Sequence, residues 1–143
     1  MNITVQLVTL PITLAWVRHT IETDHYLHRW PDPRSLPFAY QLFIKQLWGD
    51  NPTHPDGRPY GIVVMKKPQH HKQVGLFGYS GLPTSWQVLD LARVWVHPAL
   101  QFTLSNGHAA CVFSQMVSLV LRRVQADWLT IHPPRFPDQP YLS

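Results

Sequence analysis

Proline punctuates this chain. Fourteen prolines stand among 143 residues, and those at 31–37, 52–59 and 133–140 form three clusters. A proline ring fixes φ and removes a backbone donor, so neither a helix nor an inner strand runs through such a cluster. The isolated prolines add finer punctuation. Pro11 suits the first turn of a helix, where a missing N–H costs nothing. Pro68 and Pro98 stop the apolar runs that precede them.

Between these breaks the apolar pattern assigns the elements. Asn2 to Leu10 reads as a strand with Ile3, Val5 and Leu7 on one face. From Pro11 a helical face follows, through Leu14, Val17, Ile21 and Leu27. Phe38 to Leu47 alternates as a second strand, with Phe38, Tyr40, Leu42 and Ile44 together. Trp48 to Pro59 is turn or loop, and Tyr60 to Met65 is a short apolar strand. His70 to Pro83, with three glycines, reads as an irregular loop. Trp86 to Val96 is a further strand, closed by His97-Pro98. From Asn106 to Trp128 the set Ala110, Phe113, Val117, Leu121, Val124 and Trp128 recurs at steps of three and four, the stripe of a long helix. Strand, helix, three strands and a long helix predict an α/β (α+β) domain spanning 1–143, with a mixed, mostly antiparallel central sheet and flanking helices.

Composition narrows the function classes. Twelve Lys and Arg against eight acids give a net charge of +4, which permits a phosphate footprint without demanding one. Only 14% of residues are charged, against about 25% in an ordinary globular chain, which favours broad contact with a ligand, a partner or another copy. No apolar run reaches the ~18 residues of a membrane span, and no secretory signal pattern opens the chain, so a cytoplasmic protein is expected. A single cysteine, Cys111, excludes an intramolecular disulfide framework and a cysteine-only metal site.

Several residues are candidates for chemistry. His25 and His28 stand three apart, a spacing that brings two imidazoles to one helix face, but without the glutamate of the H-E-x-x-H zinc pattern. His54, His97, His108 and His132 show no ligand spacing, so a metal site stays open but has no support from spacing. Asp90 stands inside the run Val88 to Val96, sharing a strand face with Ala92 and Val94 while Arg93 faces the other way with Leu91 and Trp95. It is either a half-buried general base or a hydrogen-bonded structural acid. Ser105, Asn106 and Gly107 open the long helix, and either cap it or cradle a pyrophosphate. The basic residues are scattered; Arg29, Arg34, Lys66, Lys67 and Arg93 are the candidates for phosphate contact. Tyr26, Trp30, Tyr60 and Tyr79 stand near some of them and are placed to stack on an extruded base.

Taken together, His25-Tyr-Leu-His28, Gly61-Ile-Val-Val-Met65 with Lys67-Pro68, the block Trp86 to Val96 and the tail His132 to Tyr141 resemble phage and plasmid-borne proteins of the Mom-like group, a divergent branch of the GNAT acyltransferase fold. The resemblance covers about residues 10 to 142. It implies a sheet that splays beside the Trp95 strand, with acetyl-CoA or a related acyl-CoA lying against Val94, Trp95 and Val96 and its pyrophosphate at Ser105, Asn106 and Gly107. It further implies DNA as substrate, modified on an amine such as adenine N6, with Asp90 or His28 as proton acceptor and Tyr26 positioning the base. The GNAT pyrophosphate loop, Q/R-x-x-G-x-G/A, is reduced here to Gln101 and one glycine six residues on. The chain would stop where the fifth strand of that fold begins, which leaves an open edge suited to a homodimer. Three further readings stay open beside it: a non-catalytic DNA- or protein-binding module, a small-molecule N-acyltransferase, and a metal-dependent enzyme built on the histidines.

Overall fold

Each strand of the sheet pairs antiparallel with the strand before it in the chain, in the order β1-β2-β3-β4. The computed structural model describes residues 2–25, 27–45, 51–68, 89–103 and 108–133. Its elements are β1 (Asn2–Leu7), α1 (Pro11–Asp24), a 3-10 turn at Pro33–Ser35, β2 (Phe38–Lys45), β3 (Gly61–Lys66), β4 (Asp90–Val96), α2 (Pro98–Thr103) and α3 (His108–Ile131). This is an α+β fold, and the sheet is antiparallel throughout rather than mixed. The predicted loop at 70–83 and the start of the Trp86 strand lie outside the described residues. No helix among the described residues is long and apolar enough to cross a membrane.

The period-2 pattern of β2 puts Phe38, Tyr40, Leu42 and Ile44 on one buried face, with Val5 of β1 and Val63 and Met65 of β3. Helix α3 covers this face through Met116, Val120 and Trp128. The opposite face carries Ala39, Ile62, Val64 and Trp95, and α1 closes it with Val17 and Ile21. Helix α1 starts at Pro11 as expected, but ends at Asp24, so Leu27 is exposed outside it.

The stripe predicted for the long helix holds at Val124, which packs on the core, and at Trp128, which is buried, but is displaced before them. Phe113 and Leu121 are 43% and 56% exposed, whereas Met116 and Val120 are fully buried. Gly61 leaves a gap that Met116 fills, for a Cβ on Gly61 would stand 2.5 Å from the Met116 sulfur. The missing side chain at 61 makes room for Met116, which with Val120, Val124 and Trp128 forms the inward i, i+4 row of α3. Near the other end of α3, Asp127 accepts the Tyr40 hydroxyl at 2.7 Å and Arg123 Nε at 2.9 Å. Arg123 Nη1 in turn donates to the Val5 carbonyl at 2.8 Å, which ties the helix to β1 and β2.

Strand β4 departs from simple alternation. Its register against β3 shifts between Val64 and Met65, which face Arg93 and Leu91. The extra residue is Ala92, and the bulge turns it to the Trp95 side while Val94 packs on the α3 side. The expectation that Asp90, Ala92 and Val94 share a face is therefore corrected. Beside β3, pairing runs from Asp90 to Val96 with no split other than this bulge.

Candidate functional site

The scattered basic residues converge once the sheet forms. Lys66 ends β3 and Lys67 donates its N–H to the Ser35 carbonyl at 2.9 Å, which docks this end of the sheet on the 3-10 turn. Arg93 reaches the same corner, with Nε donating to the Arg29 carbonyl at 3.0 Å and Nη1 to the Ala92 carbonyl at 2.8 Å. Carbonyls hold the guanidinium in place, and no carboxylate among the described residues forms an ion pair with it. Arg34 lies exposed on the turn and is paired with Asp32 at 2.8 Å. That contact comes first among the causes that hold the Asp32 carboxyl down, at a pKa of about 2. Asp90 stands opposite Lys66 in the strand register. Five cations thus share one sheet end with two carboxylates, Asp32 and Asp90, among the described residues.

The chain between α1 and this corner holds two histidines with different tasks. His25 is buried; its Nδ1 accepts the Leu27 N–H at 3.1 Å, which puts the neutral ring's proton on Nε2, and the ring is also bonded to the Val94 backbone. Burial first, then the charge of Arg93, lowers its pKa, so it is a neutral tie between α1 and β4. His28 is exposed and takes a left-handed backbone, φ 46°, a conformation that costs a non-glycine residue about 1–3 kcal/mol. Its Nδ1 stands 3.2 Å from the Glu22 carbonyl. A carbonyl only accepts, so the proton is on Nδ1 and the Nε2 lone pair is available as a base.

At the opposite end of β4 lies a group that sequence spacing did not reveal. His97 Nε2 is 2.8 Å from Asp56 Oδ2, and its Nδ1 accepts the Ala99 N–H at 3.0 Å, capping α2. The His54 ring stacks on His97 with centroids 4.1 Å apart. Arg58 bonds to both Asp56 and Asp24 and lies over the Trp95 ring at 5.4 Å. Desolvation works against the Asp56 charge, but the Arg58 N–H, the His97 N–H and the Arg58 guanidinium together hold its carboxyl well below the usual range. Burial lowers the His97 pKa despite Asp56 beside it. Above these rings the Tyr60 hydroxyl is buried with no hydrogen-bond partner among the described residues. Burial, then the Asp56 charge, pushes its pKa up.

His54, Asp56 and His97 bring one ligand atom each within 4.8 Å of one another, the size of a metal site. The bonding of His97 does not fit that role. A metal on Nε2 would leave the ring proton on Nδ1, where it would face the Ala99 N–H, donor against donor. The group is instead a structural knot between the 51–60 turn and the start of α2. The signal that could have exposed it is Asp56-Gly57, where Gly57 takes φ 87° in a tight turn that aims the carboxylate back at the sheet.

Other predicted residues fall as follows. Val94 and Val96 are half-buried and Trp95 is buried, so the Trp95 side chain is core. Asp90 begins β4, about 20 Å along the strand from His97. Tyr60 is fully buried and does not present a face to a base, while Trp30 packs against the Trp95 cluster. Tyr26, Tyr79, Ser105, Asn106 and Gly107 lie outside the described residues. Comparison with protein-family models, with curated proteins and with solved structures finds no match for this chain.

Proposed function

We propose that this protein is a GNAT-like N-acyltransferase that moves an acyl group from acyl-CoA to an amine of DNA, such as adenine N6. The observation that carries the reading is His28, a strained residue whose tautomer leaves Nε2 as an outward base, one residue from the basic sheet end. Backbone strain of this kind concentrates at functional sites. In the reaction the amine nitrogen attacks the thioester carbonyl, forming a C–N bond as the C–S bond breaks. His28 takes the amine proton and passes it to the departing thiolate, which leaves as the coenzyme thiol. Arg29, Lys66, Lys67 and Arg93 hold the phosphate backbone, as their shared corner favours. The antiparallel order β1-β2-β3-β4, followed directly by α2 and α3, supports the acyltransferase architecture. A second copy pairing along an outer strand belongs to the same proposal, read by sedimentation.

A binding module without catalysis is the second reading. It is favoured by His25, Asp56 and His97, all of which are committed to structural bonds. Labelled acetyl-CoA with single- and double-stranded DNA, digested to nucleosides for mass spectrometry, separates the two. The transferase reading expects a labelled deoxyadenosine product that falls by roughly 10²–10⁴-fold in His28→Gln, the usual weight of a general base. Salt-sensitive DNA binding with no product supports the module. Transfer to small amines with no affinity for DNA supports a small-molecule acyltransferase.

A further inference from the structure

A cavity of about 370 Å³ opens between α1 and the turn that precedes β3. It is floored by Val17, Ile62 and Pro59 and walled by Trp16 and Gln41. The basic corner does not use it, and the histidine knot reaches only its edge, through Asp56, whose carboxylate is held by Arg58 and His97. Its size is at the small end of ligand cavities, which run from about 300 to 1,000 Å³.

We infer that this cavity binds a purine ring. Trp16 is 67% exposed on α1 and adds little to the core, yet its indole lines the cavity as a flat apolar wall. Such a surface stacks on any planar heterocycle. Gln41 projects from β2 on the same sheet face as Ile62, and among the described residues its amide has no hydrogen-bond partner. A glutamine amide offers one donor and one acceptor side by side, which matches N7 and the N6 amine of adenine in a bidentate pair. At the rim, Arg58 is committed to Asp24 and Asp56, so the cavity presents no unneutralised cation and suits a neutral ring rather than an anion. The inference rests on the cavity alone and goes beyond the DNA-transfer reading. The cavity does lie on the face of the sheet that carries Arg93, and Ile62 is about 13 Å along β3 from Lys66.

The experiment is a titration of the whole chain with adenosine, purine riboside and cytidine, followed by calorimetry and tryptophan fluorescence. Adenosine is expected to bind saturably and quench fluorescence, ahead of purine riboside, which lacks the N6 amine, and of cytidine. Trp16→Ala removes one stacking surface and should weaken adenosine by roughly 5- to 150-fold. Gln41→Leu should erase the preference for adenosine over purine riboside. Circular dichroism and melting confirm that both variants fold; neither side chain is fully buried. The inference is overturned if adenosine does not saturate the wild-type chain, or if its affinity is the same in both folded variants. Loss of DNA transfer or of DNA binding would leave this outcome untouched, so the two readings fail separately.

Discussion

His97 donates from Nε2 to Asp56 at 2.8 Å while its other ring nitrogen accepts the Ala99 N–H, so a single imidazole joins the turn before β3 to the first turn of α2. The pair makes stability depend on pH in two separate windows. Burial, with the charges of His54 and Arg58, holds the folded His97 below its ordinary 6.5, although Asp56 pulls the other way. The unfolded chain therefore takes this proton first, and stability falls as pH drops through about 6.5 toward the lower folded value. His25 and His132 are lowered by burial too and act in the same direction. Asp56 is also lowered when folded, so its contribution is complete above the ordinary 3.8 and is lost below it. Melting temperature should decline between about pH 7 and 5, then again below about pH 4. His97→Asn keeps an acceptor for the Ala99 N–H but does not titrate. It should melt lower at pH 7.5 yet show a flatter first decline; an unchanged slope would contradict this account.

Gly61 and Met116 are expected to behave as one unit. A methyl at 61 would meet the Met116 sulfur at 2.5 Å and Leu42 at 3.3 Å. Gly61→Ala should cost about 1–3 kcal/mol by overpacking. Combined with Met116→Ala, whose cavity the new methyl partly fills, the total loss in denaturant unfolding should be less than the sum of the single losses. Strict additivity would show that the two sites do not touch.

Tyr40 supplies the only hydroxyl that the described residues bring to Asp127. Tyr40→Phe keeps the ring against Phe38 and under Arg123 but deletes that bond. A bond to a charged, mostly buried partner contributes about 1.5–3 kcal/mol. Urea unfolding should report a loss in that range, and Arg123→Met should lose less in the Tyr40→Phe background than in the wild type. The weaker second loss follows because both residues hold the same carboxylate.

The basic corner predicts how DNA affinity responds to salt. Each phosphate contact contributes roughly 0.9 to the slope of log affinity against log salt on duplex DNA. Arg29→Gln and Lys66→Gln should each reduce that slope by about one. Arg34→Gln should do less, because Asp32 already neutralises Arg34 at 2.8 Å. Fluorescence anisotropy at several salt concentrations decides it. Equal slopes in wild type and variants would remove the corner as a phosphate site.

Local rules in the sequence determined the elements. The proline clusters and the alternation of Phe38, Tyr40, Leu42 and Ile44 act over neighbouring residues, where φ restriction and side-chain period suffice, and β2 lies where they put it. The start of α1 at Pro11 is equally local. Two apolar rows compete along α3 in the sequence, and only packing on the sheet, where Gly61 makes room for Met116, favours the row Met116, Val120, Val124 and Trp128 over Phe113 and Leu121. The gathering of Arg29, Lys66 and Arg93, and the joining of His97 to Asp56 across 41 positions, arise only when antiparallel pairing brings distant strand ends together. Pattern along a chain specifies what each segment buries; the closing of the sheet decides which polar groups then meet.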